Sequence, residues 1–200
     1  MKLDLKSAYG TAFQEVLSRV QKGLAGARAQ AGPVRMFIAG GAALHLLTGE
    51  RVSEDIDASF SRKVIFDGEI AVSYRDADGR SRVLYLDRNY NDTLGLMHED
   101  AYKDSRKLDI PGIDKRLMEV RVLSPLDLAV TKLSRFGDQD RDDIEKLARM
   151  GLIDAGSLRR RAEEALAGYV GRLEAVRTSI DVACRLVDAV APRKRGKKDS

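Results

Sequence analysis

A single cysteine, Cys184, in 200 residues excludes internal disulfides and cysteine-rich zinc folds. No apolar run approaches the roughly 18 to 20 residues that a membrane-spanning helix needs. A composition of 44% hydrophobic and 33% charged residues is that of a chain folding in water. No charged-then-apolar leader precedes the first amphipathic segment, so a reducing cytoplasm is the expected compartment and no membrane partner is expected. There are only two histidines. His45 reads as a packed or surface residue, and His98-Glu99-Asp100 lacks the spacing of a zinc-binding helix. No Ser-His-Asp pattern is present. The net charge is +4, much of it in Arg193, Lys194, Arg195, Lys197 and Lys198, which leaves the body close to neutral. Residues 193–200 therefore read as a basic, disordered tail with a general affinity for phosphates.

Hydrophobic spacing supplies the elements. Phe13, Val16, Leu17, Val20 and Leu24 recur at three and four residues, predicting an amphipathic helix from Ser7 to about Ala31, ended by Gly32-Pro33. Val34–Ile38 reads as a buried strand stopped by Gly40-Gly41, Ala42–Leu47 as a helix, and Asp55–Phe60 as a second strand. Between Glu69 and Asp87, alternating apolar residues flank Asp76-Ala77-Asp78-Gly79, the pattern of a β-hairpin. Asp76, Asp78 and Asp87 share the spacing of the first, third and twelfth positions of a calcium loop. Arg80 and Ser81 stand where a ligand and the obligatory glycine belong, so the segment is a turn. A loop with a helix near Glu99–Lys107, a strand at Glu119–Leu123, and helix from Ser124-Pro125 almost to the end complete the reading. Cys184, among Ile180, Ala183 and Val187, is expected to be a small core residue.

The stretch from Met36 to Asp57 carries the chemistry. A strand ends in two glycines, a helix follows, and the next strand presents Asp55 and Asp57, whose side chains share one face because they lie two residues apart. Hard oxygen ligands in this arrangement suit Mg²⁺ carrying substrate phosphates. Glycines at a strand-to-helix turn let a phosphate approach the backbone and the helix N-terminus. Further on, Asp140 and Asp143 lie three apart on one predicted helix and Lys132 on the helix before it.

The glycine pair, helix and Asp-x-Asp resemble the active-site signature of the DNA polymerase β-type nucleotidyltransferase superfamily. The Gly-Gly form, with Lys132 and the Asp140/Asp143 pair, is more similar to AbiEii-type toxin nucleotidyltransferases and their bacterial relatives. The resemblance implies an α/β (α+β) fold with a short, mixed, twisted sheet and flanking helices over residues 1–123, and a helical region over 124–192 that completes the cleft. It implies Mg²⁺ or Mn²⁺ on Asp55 and Asp57, and an NTP as substrate. Gly40, Gly41, Ser53, Lys132 and Asp140 would bind the nucleotide, with Asp143 joining Asp55, Asp57 and Lys132 in catalysis. The implied activity is transfer of NMP to a hydroxyl of RNA (tRNA) or protein, by a toxin of a toxin–antitoxin or phage-defence system with a cognate antitoxin protein.

Departures from the pattern keep other readings open. Gly41 stands where many members have serine, and Gln139 replaces the basic residue before the first acid of the later pair. The superfamily often has a third carboxylate, for which Asp87 and Glu119 are both candidates. Asp138, Asp140, Asp142 and Asp143 equally suit a charged helix start, and a lysine amid Leu126, Leu128, Ala129, Val130 and Leu133 is explained by snorkelling. The alternatives are a catalytically inactive nucleotidyltransferase fold that binds nucleic acid or protein, antitoxin-like, and an α/β interaction domain in which the two motifs coincide by chance.

Overall fold

A computed structural model describes residues 4–24, 32–50, 52–92 and 95–192. The chain divides into two compact units, the first formed by residues up to 92 together with 100–124, the second by 95–99 together with the chain from Pro125 onward. The first unit is built on a mixed sheet of six strands: β1 (Val34–Ile38), β2 (Asp55–Phe60), β3 (Ala71–Arg75), β4 (Ser81–Asp87), β5 (Arg106–Lys107) and β6 (Met118–Val122). Their spatial order is β3-β4-β2-β1-β6-β5. β1 runs antiparallel to β2 and parallel to β6, while β4 runs parallel to β2 and antiparallel to β3.

The sheet is two-faced because its strands alternate. Val34, Met36, Ile38, Ile56, Leu84, Leu86, Met118, Val120 and Val122 are buried, and this side receives α1 (Ala8–Leu24) and α2 (Gly40–Thr48). The α1 face is the expected one, with Phe13, Val16, Leu17 and Val20 fully buried. The remainder of its expected span, to Ala31, lies outside the described residues. Asp55, Asp57, Tyr85, Asp87, Glu119 and Arg121 occupy the other side, which is half-buried and polar.

The helix expected near Glu99–Lys107 does not form. Residues 99–104 turn, and Arg106 and Lys107 pair with β6 as a short edge strand. The competing interactions are specific. The Arg121 guanidinium donates to Ser105 Oγ at 2.6 Å and also to the Ser105 carbonyl, and the Tyr102 ring packs on Phe37 with centroids 4.3 Å apart. These contacts hold the segment extended against the sheet in place of helical hydrogen bonds.

The second unit is helical: α3 (Pro125–Thr131), α4 (Asp138–Arg149), α5 (Ala155–Ala165), a 3₁₀ turn (Leu166–Gly168) and α6 (Leu173–Val190). α6 presents Val176, Ile180, Ala183, Cys184 and Val187 to its neighbours, so Cys184 is a core residue as expected. Lys132 is not within a helix. α3 ends at Thr131, and the chain turns through Phe136, whose φ is +46°, before α4 begins. No described helix is long and apolar enough to cross a membrane. The basic tail, residues 193–200, lies outside the described residues.

Candidate active site

The site starts where β1 meets α2. Ala39 N donates to the Asp57 carbonyl at 2.9 Å, continuing the β1–β2 ladder, and Ala43 N closes the first helical turn on the Ala39 carbonyl. Between them Gly40 adopts φ +58°, in the left-handed region. A Cβ placed on Gly40 would lie 1.7 Å from Asp57 Oδ2 and 2.7 Å from its Cγ. The glycine therefore admits the Asp57 carboxylate to the first residue of α2. Sequence reasoning had reserved this glycine for a phosphate.

Strand register assembles the remainder. On the parallel β2–β4 pair, Asp55 stands opposite Tyr85 and Asp57 opposite Asp87. All four side chains share one face because the period of a strand is two. The Tyr85 phenol is raised above its ordinary value by the charge of Asp55, then by burial and by the charges of Asp87, Asp57 and Glu54. A single hydroxyl thus feels the three carboxylates of this face. Ser53, 5% exposed, donates a short hydrogen bond to Asp55 Oδ1, and Asp87 Oδ1 accepts from Asn89 N at 2.8 Å. The Tyr90 phenol is raised by burial and then by Asp57 and Asp92.

Glu119 lies elsewhere. It pairs in register with Arg35 near the start of β1, about 13 Å along the strand from Ala39, where Asp57 sits. Its carboxylate is bonded to Lys107 at 2.6 Å and Arg121 at 2.8 Å, and the Lys107 bond in particular holds it below the ordinary carboxylate range. Of the two third-acid candidates, Asp87 is the one beside Asp57.

A cavity of about 440 Å³ reaches Asp87, while Asp55 and Asp57 do not line it. Ser59, Asp87, Tyr90 and Asp92 line it with Arg62, Lys63 and Arg88. Ser59 Oγ donates to Asp92 Oδ2 at 2.8 Å. Among the described residues no three His, Cys, Asp or Glu side chains form a ready-made metal cage. The donor set nonetheless suits Mg²⁺, which is typically held by one or two carboxylates together with substrate phosphates rather than by an all-protein cage.

The second motif forms a separate, buried network in the helical unit. Lys132 Nζ donates to Asp143 Oδ2 at 2.6 Å and lies 3.5 Å from Asp140 Oδ1. Arg135 donates to both Asp140 oxygens, at 2.9 and 2.8 Å, and Gly137 N donates to Oδ2 at 3.1 Å. Both aspartates are 1% exposed and Lys132 is 7% exposed. Burial alone would raise the Asp140 carboxyl, but the Arg135 bonds, the Lys132 charge and the Gly137 N–H together hold it below its ordinary value. Lys132, Asp140 and Asp143 are thus brought together, with their charges directed at one another.

Several residues were missed from the sequence. Tyr85 shares a strand face with Asp87, a relation that alternation along β4 could have revealed. Arg62, Lys63 and Arg88 belong to loops and became neighbours only through the parallel β2–β4 pairing. Arg135, five residues before Asp140, supplies the guanidinium that Gln139 lacks.

No curated protein matches the chain, and no solved structure does. One family model does match, described as "Nucleotidyltransferase of unknown function (DUF6036)", and it covers residues 15–181. That span takes in the Gly40 turn, the acidic face of the sheet and the Lys132 network, and on this ground the chain belongs to the nucleotidyltransferase family DUF6036.

Proposed function

We propose that the acidic face catalyses Mg²⁺- or Mn²⁺-dependent transfer of NMP from an NTP to a hydroxyl of RNA, such as tRNA, or of protein. The observation that carries this reading is the seating of Asp57 against Gly40, with Asp55 on the same face and Asp87 in register beside it. Asp55 and Asp57 would hold the metal, which when bound neutralises phosphate charge and favours in-line displacement. Ser53 fixes the orientation of Asp55 through its hydroxyl. Arg62, Lys63 and Arg88 line the adjoining cavity and attract the phosphates. Asp87 would take the proton of the acceptor hydroxyl at Oδ2 as that oxygen attacks the α-phosphate, with pyrophosphate leaving. The protein's task is positioning and charge placement. Lys132 is assigned a structural role, because reaching a phosphate would require its ammonium to leave Asp143. The biological reading that suits such a transfer is a toxin of AbiEii type, countered by an antitoxin protein.

The test is incubation with each α-³²P-labelled NTP, Mg²⁺ and pools of bacterial tRNA and protein. Label should appear on one pool with the wild type and vanish with Asp55→Asn and with Asp57→Asn, both variants retaining wild-type melting curves. Labelling that persists in both variants contradicts the assignment. An unlabelled acceptor pool with every NTP would favour the inactive, binding-module alternative.

A further inference from the structure

The cavity of about 440 Å³ that reaches Asp87 lies wholly within the first unit. One wall is formed by Arg62, Lys63, Val64, Ile65 and Phe66, from the segment that joins β2 to β3. Phe66 holds that segment in place. It is 8% exposed, its ring centroid lies 5.7 Å from that of Phe60, and a Cβ placed on Gly23 of α1 would stand 2.8 Å from Phe66 Cδ1. The size of the cavity falls within the range of small-molecule sites, so it takes one residue of an acceptor and not a length of chain.

The cations of the lining are unpaired. Among the described residues Arg62, Lys63 and Arg88 form no ion pair. Arg62 donates to the Gly32 carbonyl at 3.3 Å and Arg88 to the Gly68 carbonyl at 2.9 Å, which orients both guanidinium groups and leaves their charge unneutralised. The two carboxylates of the lining already accept hydrogen bonds, Asp92 from the Ser59 hydroxyl and Asp87 from Asn89 N. Phe60 and Tyr90 add aromatic surface to the same cavity. Unpaired cations beside aromatic side chains are the combination that holds the phosphates and bases of single-stranded nucleic acid.

Which substrate these cations serve follows from the acid they accompany. Asp55 and Asp57, assigned above to the metal, do not line the cavity, whereas Asp87, assigned the acceptor's proton, does. The occupant is therefore the group that presents its hydroxyl to Asp87. A serine, threonine or tyrosine of a protein acceptor brings a neutral side chain and would desolvate the cations without compensating them. A nucleic-acid end brings a phosphate with every nucleotide. From this juxtaposition we infer that the cavity seats the 3′-terminal nucleotide of a single-stranded RNA, with Arg62, Lys63 and Arg88 on its phosphates, so that RNA and not protein is the acceptor. For the role of Asp87 the inference rests on the transfer reading given above.

The probe is a short single-stranded RNA of mixed sequence, labelled with fluorescein at its 5′ end and free at its 3′-hydroxyl. Its anisotropy is followed in EDTA and without NTP, so binding is read apart from catalysis. The wild type should bind it saturably. Unlabelled linear RNA should compete at least about tenfold better than a circle of the same sequence, which has the same phosphates and no end. Lys63→Ala and Arg88→Ala should each weaken binding by at least about fivefold and make the dependence of log affinity on log salt shallower by about 0.7, at wild-type melting temperatures. Poly-glutamate of equal charge should compete poorly. The inference is overturned if no RNA binds, if the circle competes as well as the linear strand, or if both variants keep wild-type affinity. Poly-glutamate competing as well as RNA would also overturn it, in favour of an acidic protein partner. Absence of nucleotide transfer with RNA binding intact would count against the transfer reading alone, and transfer of label to protein by a chain that binds no RNA would count against this inference alone.

Discussion

Lys132→Met is expected to destabilise the helical unit by about 3–5 kcal/mol, read as a lower midpoint in urea unfolding. The ammonium it removes bonds Asp143 and lies near Asp140, and both carboxylates are 1% exposed. Arg135 still reaches Asp140, so the loss falls mainly on Asp143. The penalty comes from taking a close counter-charge away from a buried carboxylate rather than from losing an attraction of that size, which makes the double variant informative. Lys132→Met with Asp143→Leu should recover most of the stability, since well-packed apolar replacements of a buried pair are often neutral. A single-variant loss below about 1 kcal/mol, the range of an exposed pair, would contradict the network's role.

The same network predicts an acid limb. Asp140 is depressed in the folded state, so its contribution is present above the unfolded carboxyl value of about 3.9 and is lost as pH falls through the lower, folded value. Stability of the wild type should therefore fall with acidification below about pH 4, and Arg135→Ala, which lets the folded Asp140 value rise toward the unfolded one, should flatten that fall. Coincident acid curves for the two proteins would remove Arg135 from the account.

Gly40→Ala should be more damaging than Gly79→Ala, at about 2–5 kcal/mol. Left-handed backbone in a non-glycine residue accounts for about 1–2 kcal/mol, and forcing a methyl into packed atoms for about 1–3 kcal/mol. Gly79→Ala is the control. Gly79 has φ +77° but nothing within 4 Å of its would-be Cβ, so only the backbone strain applies. Asp57→Ala removes the carboxylate that the Gly40 methyl would strike, so the double variant Gly40→Ala/Asp57→Ala should be less destabilised than the sum of the two singles. Equal losses at Gly40 and Gly79, with strict additivity, would mean that the close approach of Asp57 to the α2 terminus is not maintained in solution.

Local pattern made much of the fold legible. β1 and β2 are marked by short apolar or alternating runs with glycine or acidic boundaries, and the Asp76–Gly79 turn marks the hairpin. Elements set by distant partners were not legible. β5 has only two residues, and it exists because β6 needs an edge partner and Arg121 holds Ser105. The end of α3 before Lys132 is likewise unmarked by glycine or proline, and it is fixed by a turn that delivers Lys132 and Arg135 to α4. At the site, the pairing of Asp55 with Asp57 could be read from strand period alone. The position of Asp87 beside them depended on the β2–β4 register, which no local signal encodes. Gly40 was singled out because glycine lets another group approach the backbone closely; in the structure a carboxylate from the neighbouring strand makes that approach, at a φ of +58°.

Calorimetric titration of the four NTPs, with and without Mg²⁺, on the wild type and on Asp57→Asn, tests the central claim most directly. At least one NTP should bind the wild type only when Mg²⁺ is present, and Asp57→Asn should lose that binding while keeping the wild-type melting temperature. Metal-independent binding, or binding that Asp57→Asn retains in full, would contradict a nucleotide site built on the acidic face.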